Sequence, residues 1–250
     1  MSDDSSKLSK HSFAKRLRTV LTPKKEWGIV MSIVVGIVAL LGPWFLLEPL
    51  FAQVLPLLPI GFNLKVSIVT VLIELLAIGV IAAALAAYNK KFADIGVNKP
   101  KLLHLANAFV AFFVYIAVSI VLHSIAQYLF SGTYNAEQPQ ELGYDGLSGI
   151  EIVAAFIPLV LLTPLAEELI FRGFMFKGIR RHTPFWVTAI AVSALFGVAH
   201  GQWNVGLDVF SMSLISCYLV EKTGSLWPSI FLHVIKNGLA FSLVYLYNVG

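Results

Sequence analysis

Two adjacent glutamates and an arginine, Glu167, Glu168 and Arg172, lie within a stretch of sequence that is otherwise mostly apolar. Each charged group at the centre of a membrane costs roughly 2.5–3.5 kcal/mol on insertion scales, so three together require an explanation. Glu168 and Arg172 are four residues apart with the acid first, the order that pairs on one face of a helix. Glu167 lies about 100° around the helix and remains the unpaired carboxylate. A buried carboxylate of this kind can act as a general base.

Two prolines precede this glutamate in the same apolar stretch, at positions 158 and 164. Pro164 has no N–H to donate to the carbonyl of Val160. The helix is therefore expected to bend at this point and to open a polar crevice beside Glu167.

A second polar pair, His233 and Asn237, lies in the last apolar stretch. Their spacing puts them on one side of a helix, one turn apart, where they could direct two donors at one oxygen atom. His200 ends an earlier apolar stretch one turn after Phe196, and Gly197 between them would allow a neighbouring helix to approach closely. The sequence thus contains a candidate general base and a pair of donors that could bind one oxygen atom.

Three patterns follow one another on three apolar stretches: Glu-Glu-x-x-x-Arg at 167–172, Phe-x-x-x-His at 196–200 and His-x-x-x-Asn at 233–237. In this order they resemble the CPBP family of intramembrane glutamic endopeptidases, the Abi or CAAX-protease group. That group includes the type II CAAX prenyl endopeptidases and bacterial relatives linked to bacteriocin immunity. The resemblance covers about residues 150–240.

The resemblance implies a role for each motif residue. Glu167 would be the catalytic glutamate and would activate a water molecule together with His200. His233 and Asn237 would form the oxyanion hole, and the Glu-Arg ion pair beside the catalytic glutamate would support the site. The implied activity is an endopeptidase that cleaves a membrane-bound or lipid-modified peptide or protein.

The composition indicates a membrane protein, because 58% of the residues are hydrophobic and only 13% are charged, against about 25% charged in soluble domains. Only helices or closed barrels satisfy their backbone groups in lipid, and the apolar stretches are too long for strands. We therefore predict an all-α polytopic transmembrane bundle of about seven spans. Trp27 and other tryptophans near the span ends suit an aromatic belt. The apolar stretches are 27–50, 66–88, 102–130, 150–178, 184–201, 205–221 and 227–248.

The basic residues set the predicted orientation. The segment before the first apolar stretch, residues 1–26, is rich in Lys and Arg but lacks the features of a cleaved signal peptide, so we predict a cytoplasmic N-terminus. Positive-inside orientation also explains these residues without a nucleic-acid partner. The protein is expected to lie in the bilayer of the cell membrane. The predicted regions are a basic cytoplasmic tail (1–26), N-terminal transmembrane helices (27–130), a polar external loop (131–149) and a catalytic transmembrane core (150–250).

Several alternatives stay open. Two histidines and a carboxylate could bind zinc, but the H-E-x-x-H pattern is absent and Asn237 is a poor ligand, so we predict a reaction without a metal or cofactor. Glu74, His123 and Lys236 belong to none of the three motifs and could line the pathway of a transporter. We expect Glu74 and His123 to be partners between helices, and Lys236 either to bind an acidic residue or to snorkel towards the membrane surface. A membrane immunity or scaffold protein without catalysis is the remaining alternative.

Overall fold

The computed structural model of the protein describes residues 26–136, 138, 140 and 143–247. This part of the chain contains helices and no strand, which confirms the predicted all-α class. The predicted basic tail, 1–26, lies outside the described residues except for Glu26. The seven main helices of the described chain are α1 (Ile29–Gln53), α2 (Phe62–Ala87), α3 (Leu102–Leu129), α4 (Ile150–Arg180), α5 (Phe185–Val198), α6 (Trp203–Thr223) and α7 (Trp227–Leu246).

Within the described residues, six helices are long and apolar enough to cross a membrane, and α5 is shorter. The 14 residues of α5 extend about 21 Å at 1.5 Å per residue, less than the roughly 30 Å of a hydrocarbon core. The predicted span at 184–201 is cut short because the helix ends at Val198 and Gly201 turns the chain with a φ of 66°. The count of seven spans and the cytoplasmic N-terminus stay predictions.

The central helix of the bundle is α4. It packs against α1, α2, α5, α6 and α7, and every residue of its segment Glu168–Phe176 is buried. By contrast, α1 and α3 carry rows of exposed large apolar side chains, as lipid-facing helices do. The charged stretch of α4 is thus surrounded by protein rather than by lipid.

Two segments of α4, Ile157–Leu162 and Glu168–Phe176, are π-helical. Such wider turns are rare and are frequent at functional sites. In a π turn, each N–H donates to the carbonyl five residues back rather than four. The carbonyl that loses its donor to Pro164 is therefore that of Leu159, not that of Val160 as the sequence analysis predicted.

A side chain of α7 takes the place of the donor that this proline lacks. The N–H of Thr163 donates to the carbonyl of Pro158, five residues back, which shows the π register. In the same register the next carbonyl, that of Leu159, would need an N–H from Pro164. Instead, Nδ2 of Asn237 donates to the Leu159 carbonyl at 3.0 Å. This hydrogen bond fixes α7 against the π-helical segment of α4.

The helices α5 and α6 approach each other through two glycines. A Cβ added to Gly197 would lie 2.7 Å from the carbonyl oxygen of Gly206, and one added to Gly206 would lie 2.8 Å from that of Gly197. No side chain fits between the two backbones, which confirms the predicted close approach at Gly197. The contact holds the end of α5, and so His200, against the start of α6.

Candidate active site

One cavity of about 100 Å³ brings together residues from five separate parts of the chain. Its walls include Glu167 of α4, His200 after the end of α5, and His233 and Asn237 of α7. One water molecule needs roughly 10–15 Å³ of such space, so several fit. The four residues that the sequence analysis named as catalytic therefore share one space that can hold water.

A completely buried ion pair, Glu168 with Arg172, lies beside the cavity-lining Glu167. Oε1 of Glu168 is 3.1 Å from Nη1 of Arg172, and both side chains are completely buried. This contact confirms the predicted pair, although the two groups are not aligned for a hydrogen bond. The guanidinium lies over the ring of Phe196, 4.4 Å from its centroid, and the hydroxyl of Ser229 donates to Glu168. A buried charge needs such partners because water cannot reach it.

His233 connects the two adjacent glutamates. Its Nδ1 lies 3.2 Å from Oε1 of Glu168, and its Nε2 lies 3.5 Å from Oε2 of Glu167. An ionised carboxylate only accepts hydrogen bonds, so Nδ1 carries the hydrogen that is donated to Glu168. The contact fixes the ring and turns Nε2 towards Glu167 and the cavity.

His200 reaches the same cavity from the end of α5. Its Nδ1 donates to the carbonyl oxygen of Phe196 at 2.8 Å, which leaves Nε2 as the acceptor of a neutral ring. Among the described residues, the histidine in contact with the Glu167 carboxylate is His233, at 3.5 Å. The predicted cooperation of Glu167 with His200 would therefore run through a bridging water.

Asn237 follows His233 by one turn of α7 and lines the cavity. One hydrogen of its Nδ2 is used by the Leu159 carbonyl. The second hydrogen of that amide group remains available to a ligand in the cavity. The proline in α4 thus determines the orientation of an amide on α7.

Lys236 also lines the cavity, and its ammonium lies 3.5 Å from Oδ2 of Asp208. This confirms the first of the two alternatives predicted for Lys236, an acidic partner. The other oxygen of Asp208 accepts hydrogen bonds from Tyr115 at 2.6 Å and from Ser119 at 2.8 Å. Asp208 was not predicted from the sequence, although an isolated acid in the apolar run NVGLDVF was a usable signal.

The two other polar residues of the N-terminal helices have partners as well. Glu74 of α2 accepts a hydrogen bond at 2.8 Å from the hydroxyl of Thr163, which lines the cavity one turn before Glu167. This confirms that Glu74 is a partner between helices. His123 forms a hydrogen bond with Tyr134, which lies in the loop after α3. For His123, the prediction of a partner on another helix was therefore wrong.

The loop between α3 and α4 contributes Gln140 to the cavity wall. On one side of Gln140, the amide of Asn204 donates to the carbonyl of Gln138 at 2.7 Å. On the other side, the amide of Asn63 donates to the carbonyl of Asp145 at 2.7 Å and accepts from its N–H at 3.1 Å. Side chains from α6 and α2 thus hold the loop on both sides of the residue that reaches the cavity.

In the part of the chain that the structure describes, no three His, Cys, Asp or Glu side chains are grouped as a metal ion would need. A zinc site requires ligands that converge to about 2.0–2.3 Å from the ion. Both Nδ1 atoms of the cavity histidines already have partners, His233 with Glu168 and His200 with Phe196.

The described chain is thus a bundle of apolar helices around a small cavity whose walls include a carboxylate, two histidines and an amide, the site of a membrane-protein class that could act on water. Comparison with protein families agrees with that class. Residues 149–239 match the family model described as type II CAAX prenyl endopeptidase Rce1-like. This confirms the resemblance drawn from the motifs, over the segment from α4 to α7 that carries them.

Two curated proteins of Bacillus subtilis (strain 168) are similar to parts of the chain. "Putative membrane peptidase YdiL" is 25% identical over 135 residues, which cover 52% of this chain and 52% of that protein. "Uncharacterized protein YyaK" is 35% identical over 98 residues, covering 35% of this chain and 32% of that protein. The chain therefore spans about half the length of the first relative and a third of the second. No solved structure matches the chain.

Proposed function

We propose that the protein is an intramembrane endopeptidase that hydrolyses peptide bonds in membrane-bound or lipid-modified peptides. The observation that carries this proposal is the single cavity lined by Glu167, His200, His233 and Asn237. The match of α4–α7 to the prenyl endopeptidase model supports the same class of reaction. The substrate would enter from the bilayer or its surface, since the cavity lies among apolar helices.

In the proposed mechanism Glu167 is the general base. It removes a proton from a water molecule in the cavity, and Nε2 of His200 accepts the other hydrogen of that water and so orients it. The water oxygen bonds to the carbonyl carbon of the peptide, and the carbonyl electrons move onto its oxygen. Glu167 then passes its proton to the amine as the C–N bond breaks, which leaves a carboxylic acid and a free amine.

The developing oxyanion would be bound by groups of α7. The second Nδ2 hydrogen of Asn237 is one donor, and Nε2 of His233 is the other. Because Nδ1 of His233 already donates to Glu168, Nε2 can donate only when the ring carries both protons. One donor of this kind typically lowers a barrier by about 2.7–4 kcal/mol.

The test is cleavage by the purified protein in detergent. The substrates are peptides that carry a farnesylated cysteine followed by randomised residues, and mass spectrometry identifies the products. We expect cleavage by the wild type, loss of at least about a thousandfold in E167Q, and wild-type rates in E221Q, whose glutamate pairs with Arg180 away from the cavity. Undiminished cleavage by E167Q would contradict the proposal.

Two further measurements separate the alternatives. Metal analysis of the active protein, together with a chelator added to the assay, decides between the proposed mechanism and a zinc hydrolase. In cells, a scaffold or immunity protein without catalysis would keep its full effect in E167Q, whereas a peptidase would lose it. The same E221Q variant serves as the control for expression.

A further inference from the structure

The proposed mechanism leaves one charged residue of the cavity wall without a role. Lys236 is the one Lys or Arg among the cavity-lining residues that the structure describes. Its side chain is only 13% exposed, so bulk water reaches the ammonium poorly. An ammonium with three donors in such a place needs partners.

The partner that the structure provides is incomplete. Oδ2 of Asp208 lies 3.5 Å from Nζ of Lys236, beyond the usual 2.7–3.2 Å of a hydrogen bond. The carboxylate of Asp208 is held in place from α3, through the hydroxyls of Tyr115 and Ser119. Within the described chain, Lys236 is therefore positioned by a charge, while its hydrogens remain available to a group in the cavity.

Lys236 is also close to the groups that would bind the reacting bond. It follows His233 by three residues and precedes Asn237 by one, a rise of about 4.5 Å and 1.5 Å along α7. An extended peptide advances about 3.3–3.6 Å per residue. A group bound by Lys236 would thus lie within about three residues of the bond that is cleaved.

We propose that Lys236 binds a carboxylate of the substrate and thereby determines which peptides are cleaved. The inference rests on the proposed peptidase function. A single ammonium matches the single negative charge of a carboxylate and can donate to its oxygens. The carboxylate is either the free C-terminus of the peptide or an Asp or Glu side chain beside the cleaved bond.

Three peptide libraries distinguish these sources. Each carries a farnesylated cysteine followed by three randomised residues, which are all uncharged in the first two libraries. The first ends in a free carboxylate and the second in a carboxamide, and the third ends in a carboxamide but has Asp at one randomised position. The values of kcat/KM are compared for the wild type, K236M, K236R and E167Q, with thermal unfolding in detergent as the check on folding.

We expect the wild type to cleave at least one carboxylate library about tenfold faster than the uncharged library, the size of effect expected for a hydrogen bond between charged groups. The ratio should fall to about one in K236M and persist in K236R. Preference for the first library identifies a C-terminal carboxylate, and preference for the third an acidic side chain.

Other results would overturn the assignment. If the wild type cleaves all three libraries equally, or K236M slows all three by one factor, Lys236 does not bind a substrate carboxylate, while the peptidase proposal stands. If the wild type cleaves no library, or E167Q cleaves as fast as the wild type, the peptidase proposal fails and this inference fails with it.

Discussion

Two carboxylates inside the bundle, Glu168 of α4 and Asp208 of α6, have similar partners, but Glu168 is completely buried and Asp208 is 23% exposed. The cation beside Glu168 is four residues along the same helix, and the cation beside Asp208 is on a neighbouring helix. Each carboxylate accepts a hydrogen bond from at least one hydroxyl. The cation of Glu168 is Arg172, which is completely buried. The cation of Asp208 is Lys236, which lines the cavity and is 13% exposed.

The difference shows how one type of interaction can serve structure in one place and recognition in another. The Glu168 cluster, consisting of Glu168, Arg172 and Ser229, has no residue in the cavity wall and fixes the ring of His233. The Asp208 cluster, consisting of Asp208, Tyr115, Ser119 and Lys236, presents a cation to the cavity. Removing a partner should therefore affect stability in the first cluster and substrate preference in the second.

The largest expected effect on stability is that of Arg172→Met. The substitution leaves Glu168 as an uncompensated charge in a site without water, which typically costs about 3–5 kcal/mol. Lys236→Met should cost only about 1 kcal/mol, because Asp208 keeps two hydrogen bonds and lies 23% exposed. Thermal unfolding in detergent, followed by tryptophan fluorescence, compares the two. Equal losses of stability would remove the distinction between the clusters.

A smaller pair of changes tests the hydroxyl partners. Ser229→Ala removes a hydrogen bond to the buried carboxylate of Glu168, which should cost about 1.5–3 kcal/mol. Ser119→Ala should cost about 0.5–1.5 kcal/mol, because Tyr115 still donates to the same oxygen of Asp208. Chemical unfolding in mixed micelles measures both. A larger loss for Ser119→Ala than for Ser229→Ala would reverse the proposed order.

The smallest change provides the reference for both clusters. Arg180 and Glu221 form a salt bridge at 2.8 Å, but their side chains are 36% and 31% exposed. Glu221→Gln should therefore lower the free energy of unfolding by no more than about 1 kcal/mol. The same unfolding measurement at low and high salt checks this, since screening should further weaken an exposed pair. A loss as large as that of Arg172→Met would show that burial does not set the order.

Much of the helical framework could be predicted, because hydrophobic length and the spacing of polar residues are local signals. The ion pair Glu168–Arg172 and an acidic partner for Lys236 could also be predicted, because lipid does not solvate a charged side chain and each one therefore needs a partner of opposite charge. The choice of Asp208 as that partner did not follow, since it depends on how α6 packs against α3 and α7. A polar residue read singly does not reveal which helix will lie beside it.

Trp27 shows a second limit of sequence reasoning. Its place near a span end suggested the membrane interface, but it is only 1% exposed. Its ring stacks on Phe174 at 4.6 Å, its N–H donates to the Phe174 carbonyl at 3.1 Å, and the guanidinium of Arg181 lies 4.3 Å from its ring centroid. The same residue type suits an interface or a buried helix contact, and only packing decides which applies.

The π-helical segment Ile157–Leu162 makes the geometry of the site depend on the number of residues in α4 as well as on their identity. A π turn holds one residue more than the α turn that it replaces. Deleting one residue there and rewinding the turn as α would therefore keep the parts before and after it in about their present rotation. The same deletion in an α turn would rotate them by about 100° against each other, which is also the angle between Glu167 and Glu168. Deletions in the two kinds of turn should thus differ in how far they move the glutamates, although neither replaces a motif residue.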